Sequence, residues 1–254
     1  RSSVADILLM RLEGPMQSWG TRARWDVRDT GPDPSKSGVI GLLGCALGLR
    51  RGDPDLVSLD RVLRFGLRTD APGSIASDYH TVSGYHRTAD GGFRYSGSTN
   101  SIKTLANAAK YDEYTVLSQR EYIDDASFLV ALSDDGSSIL HRLSGESDER
   151  GLTWSLRNPR WPLYLGRRSC VPTRPVFEKL TDEYDNIESA LRQEPWEASP
   201  RKAADMPKSL EGWVEDPDGP SERQDAMRHN QMRFYGFNRY RRIEVDTSGL
   251  RRKL

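Results

Sequence analysis

The run Ile7-Leu8-Leu9-Met10-Arg11-Leu12 is apolar at all but one position and is stopped by Glu13-Gly14-Pro15, the pattern of a buried strand leaving into a turn. After a polar, arginine-bearing loop to Pro34, the stretch from Ser35 to Leu49 opens on capping serines and continues with small and apolar residues. This predicts a tightly packed helix over about Lys36 to Leu49. Its glycines (Gly38, Gly41, Gly44, Gly48) each cost roughly 1 kcal/mol against alanine in a helix, which points to close approach to a sheet. A second short helix is expected over Leu56–Leu63. Arg64-Phe65-Gly66-Leu67-Arg68-Thr69 then alternates as a half-buried strand does, so the chain opens strand, helix, strand. Ser127-Phe128-Leu129-Val130-Ala131-Leu132 is another strong strand, and Met232 to Val245 alternates aromatic and basic residues as a late strand with one buried and one basic face.

Between Asp78 and Glu121 the periodicity weakens, and Gly, Ser, Thr, Tyr and basic residues gather around Asp90-Gly91-Gly92, which predicts an extended hairpin with a mobile tip. A helix is expected near Ser138–Leu143, followed by a charged loop over Gly145–Gly151. Glu178 to Asp225 is acidic, proline-bearing and poor in aliphatics, and reads as a long, partly unordered surface loop of little weight in the function. The Arg251-Arg252-Lys253 tail is expected to fray. The division that follows is residues 1–177 with the hairpin at about 79–121, an acidic loop-rich segment at 178–227, and a basic strand and tail at 228–254. No internal repeat is visible.

The chain has 254 residues with 37 basic and 37 acidic side chains. That balance argues against a protein that coats nucleic acid indiscriminately and permits one that binds a short piece in a defined groove. No apolar run approaches the roughly 20 residues that cross a bilayer, and no signal-peptide stretch opens the chain, so a cytoplasmic location without membrane contact is expected. Two cysteines, Cys45 and Cys170, are too few for a disulfide framework or a Cys-rich zinc site, and both are expected reduced and largely buried.

Local charge breaks the balance. From Leu156 to Arg174 there are five arginines (Arg157, Arg160, Arg167, Arg168, Arg174) and no Asp or Glu. A guanidinium is a rigid fork of donors that fits phosphate, and Tyr164 or Trp161 offers a face on which a base can stack. The alternative is a surface loop whose arginines pair with carboxylates elsewhere in the fold. Lys36-Ser37-Gly38 stands at a helix start, where free N–H groups favour phosphate, against the alternative of a solvent-facing lysine. The Gly-x4-Gly-Lys-Ser/Thr spacing of a P-loop is absent. Tyr79-His80 and Tyr85-His86 offer two imidazoles that could serve acid–base cleavage of RNA, but no metal-ligand cluster or Gly-x-Ser-x-Gly elbow accompanies them. Arg87, Arg94, Lys103 and Lys110, interleaved with Tyr85, Phe93 and Tyr95, suit a finger laid against a single strand, or equally an edge hairpin charged against aggregation.

Five segments in order, Leu12-Glu13-Gly14-Pro15-Met16-Gln17-Ser18-Trp19-Gly20, Pro34-Ser35-Lys36-Ser37-Gly38 through Leu49, Asp78-Tyr79-His80-Thr81-Val82, Arg120-Glu121-Tyr122 with Asp125-Ala126-Ser127-Phe128, and Tyr164 through Cys170, together resemble the CasD family. Its members are subunits of the type I-E CRISPR surveillance complex Cascade and belong to the RAMP superfamily. The resemblance spans about Leu8 to Pro175 and fades beyond. It implies an α+β, ferredoxin-like (RRM-related) fold with a protruding thumb-like β-hairpin. It also implies a non-catalytic role without cofactor or metal: capping the 5′ handle of the guide RNA (crRNA), bending the guide with the thumb, and contacting the backbone subunits and the large PAM-reading subunit. Target DNA is then met only through the guide.

Carried over residue by residue, the resemblance makes Arg120 the arginine at the thumb base, Tyr164 the handle-contacting tyrosine, and Arg167 and Arg168 the paired arginines beside it. Lys36 stands where the family often has arginine, which replaces a planar fork with a point charge. With Ser37, Tyr79, His80, Arg87, Arg94, Lys103 and Arg174, these are the expected RNA-binding residues. Because some type I-C relatives cleave precursor guide RNA themselves, a metal-independent endoribonuclease is the rival reading, and a plain assembly scaffold is a third.

Overall fold

The computed structural model describes residues 6–20, 27–95, 102–134, 140, 152–197, 206–227 and 235–250. Among these, β1 (Ile7–Gln17), β2 (Val27–Arg28), β3 (Leu63–Ala71), β4 (Ser74–Gly84), β5 (Tyr114–Asp134), β6 (Phe177–Thr181), β7 (Ser209–Glu215), β8 (Ser221–Met227) and β9 (Tyr235–Asp246) form one sheet. Its order is β6-β1-β5-β3-β7-β9-β8, with β2 and β4 both pairing with β5. All these pairings are antiparallel except β2 with β5. The helices are α1 (Lys36–Leu47), α2 (Pro54–Val62), α3 (Leu105–Ala108), α4 (Leu152–Arg157) and α5 (Ile187–Gln193).

The continuous apolar runs of β1 and β5 have a direct cause. Alternate residues point to opposite faces of a strand, and here both faces are covered. Leu8, Met10, Leu12, Phe128, Val130 and Leu132 enter one core with Val39, Ile40 and Leu43 of α1. Ile7, Leu9, Leu129 and Ala131 enter a second with Ile187, Ala190 and Leu191 of α5. A strand buried on both faces has no polar face to show. Helix α1 begins at the Ser35 cap, whose hydroxyl accepts from the Gly38 amide at 3.2 Å, and ends on Gly48 in the left-handed region. Its close approaches are to neighbours other than the sheet: a Cβ on Gly38 would lie 2.9 Å from the Trp19 ring, and one on Gly44 would overlap Leu56 of α2.

Three expectations are corrected here. The 178–227 segment, expected to be loop-rich and in part unordered, supplies α5, β7 and β8 and the fully buried Trp196, whose indole donates to the Asp70 carbonyl at 3.1 Å. Its carboxylates and carbonyls serve buried cations. Arg68, with no exposure, donates to the Leu191 and Glu194 carbonyls, each at 2.7 Å, while Arg11 pairs with Asp70 and donates to the Pro195 carbonyl at 2.9 Å. Cys45, expected largely buried, is half-buried, while Cys170 is enclosed as expected. The expected hairpin begins earlier, at Ser74, and its second strand runs without a break into the core as the 21-residue β5. The tail after Leu250, the Gly145–Gly151 loop and nearly all of the helix expected at Ser138–Leu143 lie outside the described residues.

Candidate nucleic-acid interface

The arginine-rich loop between α4 and β6 is held against β1 by its backbone. The Ser18 amide donates to the Leu165 carbonyl at 3.0 Å, the Thr173 amide to Glu13 at 2.9 Å, and the Arg11 amide to Val176 at 2.9 Å. Within the loop, the Leu165 amide donates to the Cys170 carbonyl at 2.7 Å and the Cys170 amide to Arg167 at 2.9 Å. Leu165 and Cys170 are both fully buried, so they anchor a tight turn whose tip is Gly166-Arg167-Arg168-Ser169. Burial pushes the Cys170 thiol up from its ordinary pKa, which keeps it an inert packing group. Gly166 has φ +99°, and a Cβ there would fall on the Ser18 carbonyl. Only glycine fits that position.

From this turn the two arginines part. Arg167 folds back: its Nη1 donates to the Glu121 carbonyl at 2.8 Å, its Nη2 to the Arg28 carbonyl at 2.7 Å, and its guanidinium lies 4.8 Å from the centre of the Tyr122 ring. It therefore joins the loop to the base of the β4–β5 hairpin and to β2. Arg168 points outward, exposed and without an ion-pair partner among the described residues. Tyr164, half-buried, stands at the same turn.

The hairpin base supplies the other half of the surface. Arg120 on β5 lies opposite Asp78 on β4 and beside Arg28 on β2, so the three side chains share one face. Arg120 is half-buried, and its Nε has no hydrogen-bond partner among the described residues. The Asp78 carboxylate is 2.7 Å from His80 Nε2 on the same face. Tyr122, under Arg167, continues that face two residues along β5. Farther out, Arg87 lies over Phe93 at 5.3 Å, Arg94 over Tyr114 at 5.7 Å, and Tyr95 stacks on Tyr111 at 4.5 Å. Lys103 is exposed, and His86 Nε2 sits 3.0 Å from the Val82 carbonyl.

Two of the expected RNA-binding cations are engaged within the chain. Lys36 is not solvent-facing: it is 2% exposed, and its Nζ contacts both Glu215 oxygens at 3.0 and 2.9 Å. Its amide, one of the free N–H groups at the helix start, donates to Asp225 at 3.1 Å. The chain's own carboxylates fill the place of an anion. Ser37, beside it, is half-buried with its hydroxyl 3.4 Å from that of Ser35. Arg174 pairs with Glu197 and with Glu178 at 2.8 Å, which leaves its charge neutralised. Tyr79 and His80 occupy opposite faces of β4, so one nucleotide strand lying on one face cannot meet both.

Sequence reasoning missed Arg28. It sits in the arginine-bearing loop before Pro34, and its place beside Arg120 depends on a parallel pairing across 92 positions that no local pattern announces. Among the described residues no three His, Cys, Asp or Glu side chains converge as a metal ion would need.

The model of the family described as CRISPR-associated protein (Cas_Cas5) matches residues 7–245. The chain belongs to the Cas_Cas5 family. The match runs through the 178–227 segment, beyond the point at which the resemblance in the sequence faded. This Cas_Cas5 chain is 33% identical over 199 residues to the CRISPR system Cascade subunit CasD of Escherichia coli (strain K12), covering 74% of this chain and 77% of that one. Its fold resembles a chain of a CRISPR RNA-guided surveillance complex with a TM-score of 0.68 and 28% identity, over 94% of this chain and 90% of the other. It also resembles a solved Cas protein with a TM-score of 0.66 and 29% identity, over 97% and 98% of the two chains.

Proposed function

We propose that this Cas_Cas5 chain is a non-catalytic subunit of a type I-E CRISPR RNA-guided surveillance complex that holds the 5′ handle of the guide RNA and caps one end of the backbone. The observation that carries this reading is the junction of the Leu165–Cys170 turn with the hairpin base. There the bonds from Arg167 to the Glu121 and Arg28 carbonyls hold the turn that carries Arg168 against the strands that carry Arg120 and Arg28. The similarity to the Cascade subunit CasD and to a chain of a surveillance complex gives the reading its biological setting. In it the core is ferredoxin-like and the β4–β5 hairpin is the thumb that bends the guide, its outer part carrying Arg87, Arg94 and Lys103 towards the RNA. Arg168 and Arg120 take phosphates, Tyr164 stacks on or hydrogen-bonds a handle nucleotide, and neighbouring backbone subunits and the large PAM-reading subunit complete the contacts.

An endoribonuclease is less well supported, because the two candidate imidazoles are placed for structural work. His80 lies against Asp78, and His86 against a backbone carbonyl and, edge-on, the Tyr114 ring. The test is to incubate the chain, free of divalent metal, with labelled repeat RNA and with the 5′-handle fragment. Retention of the handle without cleavage is expected. Specific cleavage, lost on His80→Ala or His86→Ala, would replace this reading with guide processing.

A further inference from the structure

Strand β9 buries opposite faces in its two halves. Its odd-numbered residues alternate onto one face. At the far end of that face Ile243 and Val245 enter the core under α5, while at the near end Phe237 is 58% exposed and Tyr235 40%. On the other face Tyr240 is fully enclosed, its hydroxyl donating to Asp225 at 2.8 Å, and the Asn238 amide donates to the same carboxylate at 3.0 Å. The strand was expected to carry one basic face. Its open end presents two aromatic rings instead, with Arg239 next along the face.

The order Tyr235-Gly236-Phe237-Asn238-Arg239-Tyr240 follows the (Phe/Tyr)-(Gly/Ala)-Phe-Val-x-(Phe/Tyr) stretch with which RRM sheets stack bases, and Asn238 is its single departure. That departure has a cause in this chain, since Asn238 serves the buried Asp225. The two exposed rings are about 7 Å apart along the strand, within reach of two bases of an extended single strand. Arg239 stands 3.8 Å from Glu222, with both side chains about half exposed. So loose a surface pair contributes little and leaves the guanidinium to a phosphate. Arg241, the next cation on this face, is engaged by Glu188 at 2.8 Å and Asp216 at 3.3 Å. Stacking, more than charge, therefore has to carry the affinity. The platform lies on the α5 side of the sheet, three strands from β5, whereas the arginine turn packs Leu165 and Cys170 into the core on the α1 side. We infer that the open end of β9 is a second nucleic-acid site, separate from the handle surface, on which Phe237 and Tyr235 each stack a base of a single strand and Arg239 holds one phosphate.

The test is binding of labelled uridine and deoxyuridine decamers, which differ only in the 2′-hydroxyl, by the full chain carrying Arg168→Ala to weaken the handle surface. Phe237→Ala and Phe237→Leu are then added in turn; leucine keeps apolar area and lacks a π face. Both changes are expected to weaken decamer binding at least fivefold, the lower end of what one stacked base contributes, with a salt slope no steeper than about 0.7, that of a single phosphate. In the otherwise wild-type chain both are expected to leave 5′-handle affinity within twofold. The decamer held more tightly identifies the sugar of the strand that the platform takes. No binding of either decamer before the ring is changed, affinity unchanged by both variants, or affinity lost with alanine and kept with leucine would overturn the assignment. Decamer affinity unchanged while association with guide-loaded backbone subunits weakens would mark the face as a protein contact and overturn it equally. Failure of the wild-type chain to hold the handle would count against the function proposed above and leave the decamer result standing.

Discussion

Arg167 and Arg168 are adjacent in sequence and differ in what their guanidiniums do. The first spends its donors on backbone carbonyls of two other segments, and the second reaches solvent. A phosphate contact releases counterions, and a backbone latch does not. For the proposed handle complex, Arg168→Ala is expected to make log affinity against log salt shallower by about 0.7, the increment of one phosphate on a single strand. Arg167→Ala is expected to leave that slope unchanged while lowering chain stability by about 1–3 kcal/mol, the cost of losing charged hydrogen bonds. Salt-series binding together with urea unfolding separates the two. A slope change for Arg167→Ala would restore it as a phosphate ligand. The sequence announced a cationic turn and the glycine that shapes it. It could not distinguish its arginines, because the carbonyls that engage Arg167 lie 46 and 139 positions away.

Helix α1 and the segment after residue 177 form a second level of organisation. The Ser35 cap, the small-residue interior and the Gly48 stop were all legible, since each is a local device. What the helix start binds was not, because Glu215 and Asp225 come from β7 and β8. An acidic stretch poor in aliphatics normally signals solvation. Here its acids and carbonyls neutralise or satisfy Lys36, Arg11, Arg68 and Arg174 inside the fold, so composition pointed the wrong way. Lys36→Ala would leave Glu215, whose side chain is 8% exposed, without its ammonium. A loss of about 3–5 kcal/mol in chemical unfolding is expected, with handle affinity unchanged per folded molecule. A selective loss of RNA binding at unchanged stability would reinstate Lys36 as a ligand.

Across the whole molecule, the formal net charge of zero conceals how many charges are enclosed. Asp60 of α2 meets the end of β8, accepting from the Met227 amide at 3.0 Å, and its other oxygen has no partner among the described residues. Burial raises its pKa from the ordinary 3.8 to about 6, with Glu215 and Asp225 adding to the rise and Lys36 opposing it. The folded chain therefore holds this proton more tightly than the unfolded one. The stabilisation is complete below pH about 4 and lost as pH rises through about 6. Asp60→Asn, which keeps an acceptor for Met227, is expected to flatten that interval and to raise stability at pH 8 by about 3 kcal/mol. Unfolding free energies from pH 4 to 8 check this, and an unchanged profile would mean Asp60 is ionised throughout.

Strand β5 runs over 21 residues from hairpin to core and turns at Asp125, whose φ of +54° is left-handed; its hairpin part, Tyr114–Asp124, is regularly paired with β4. Because its inner half is clamped between β1 and β3, the outer half is a lever of fixed length and fixed phase. Trimming one cross-strand pair would withdraw the tip by about 3.3 Å and exchange its two faces, while trimming two pairs would withdraw it by about 7 Å with the faces restored. Hairpin length in this chain is thus quantised in steps of two wherever the Arg120 face is to stay in line with the arginine turn.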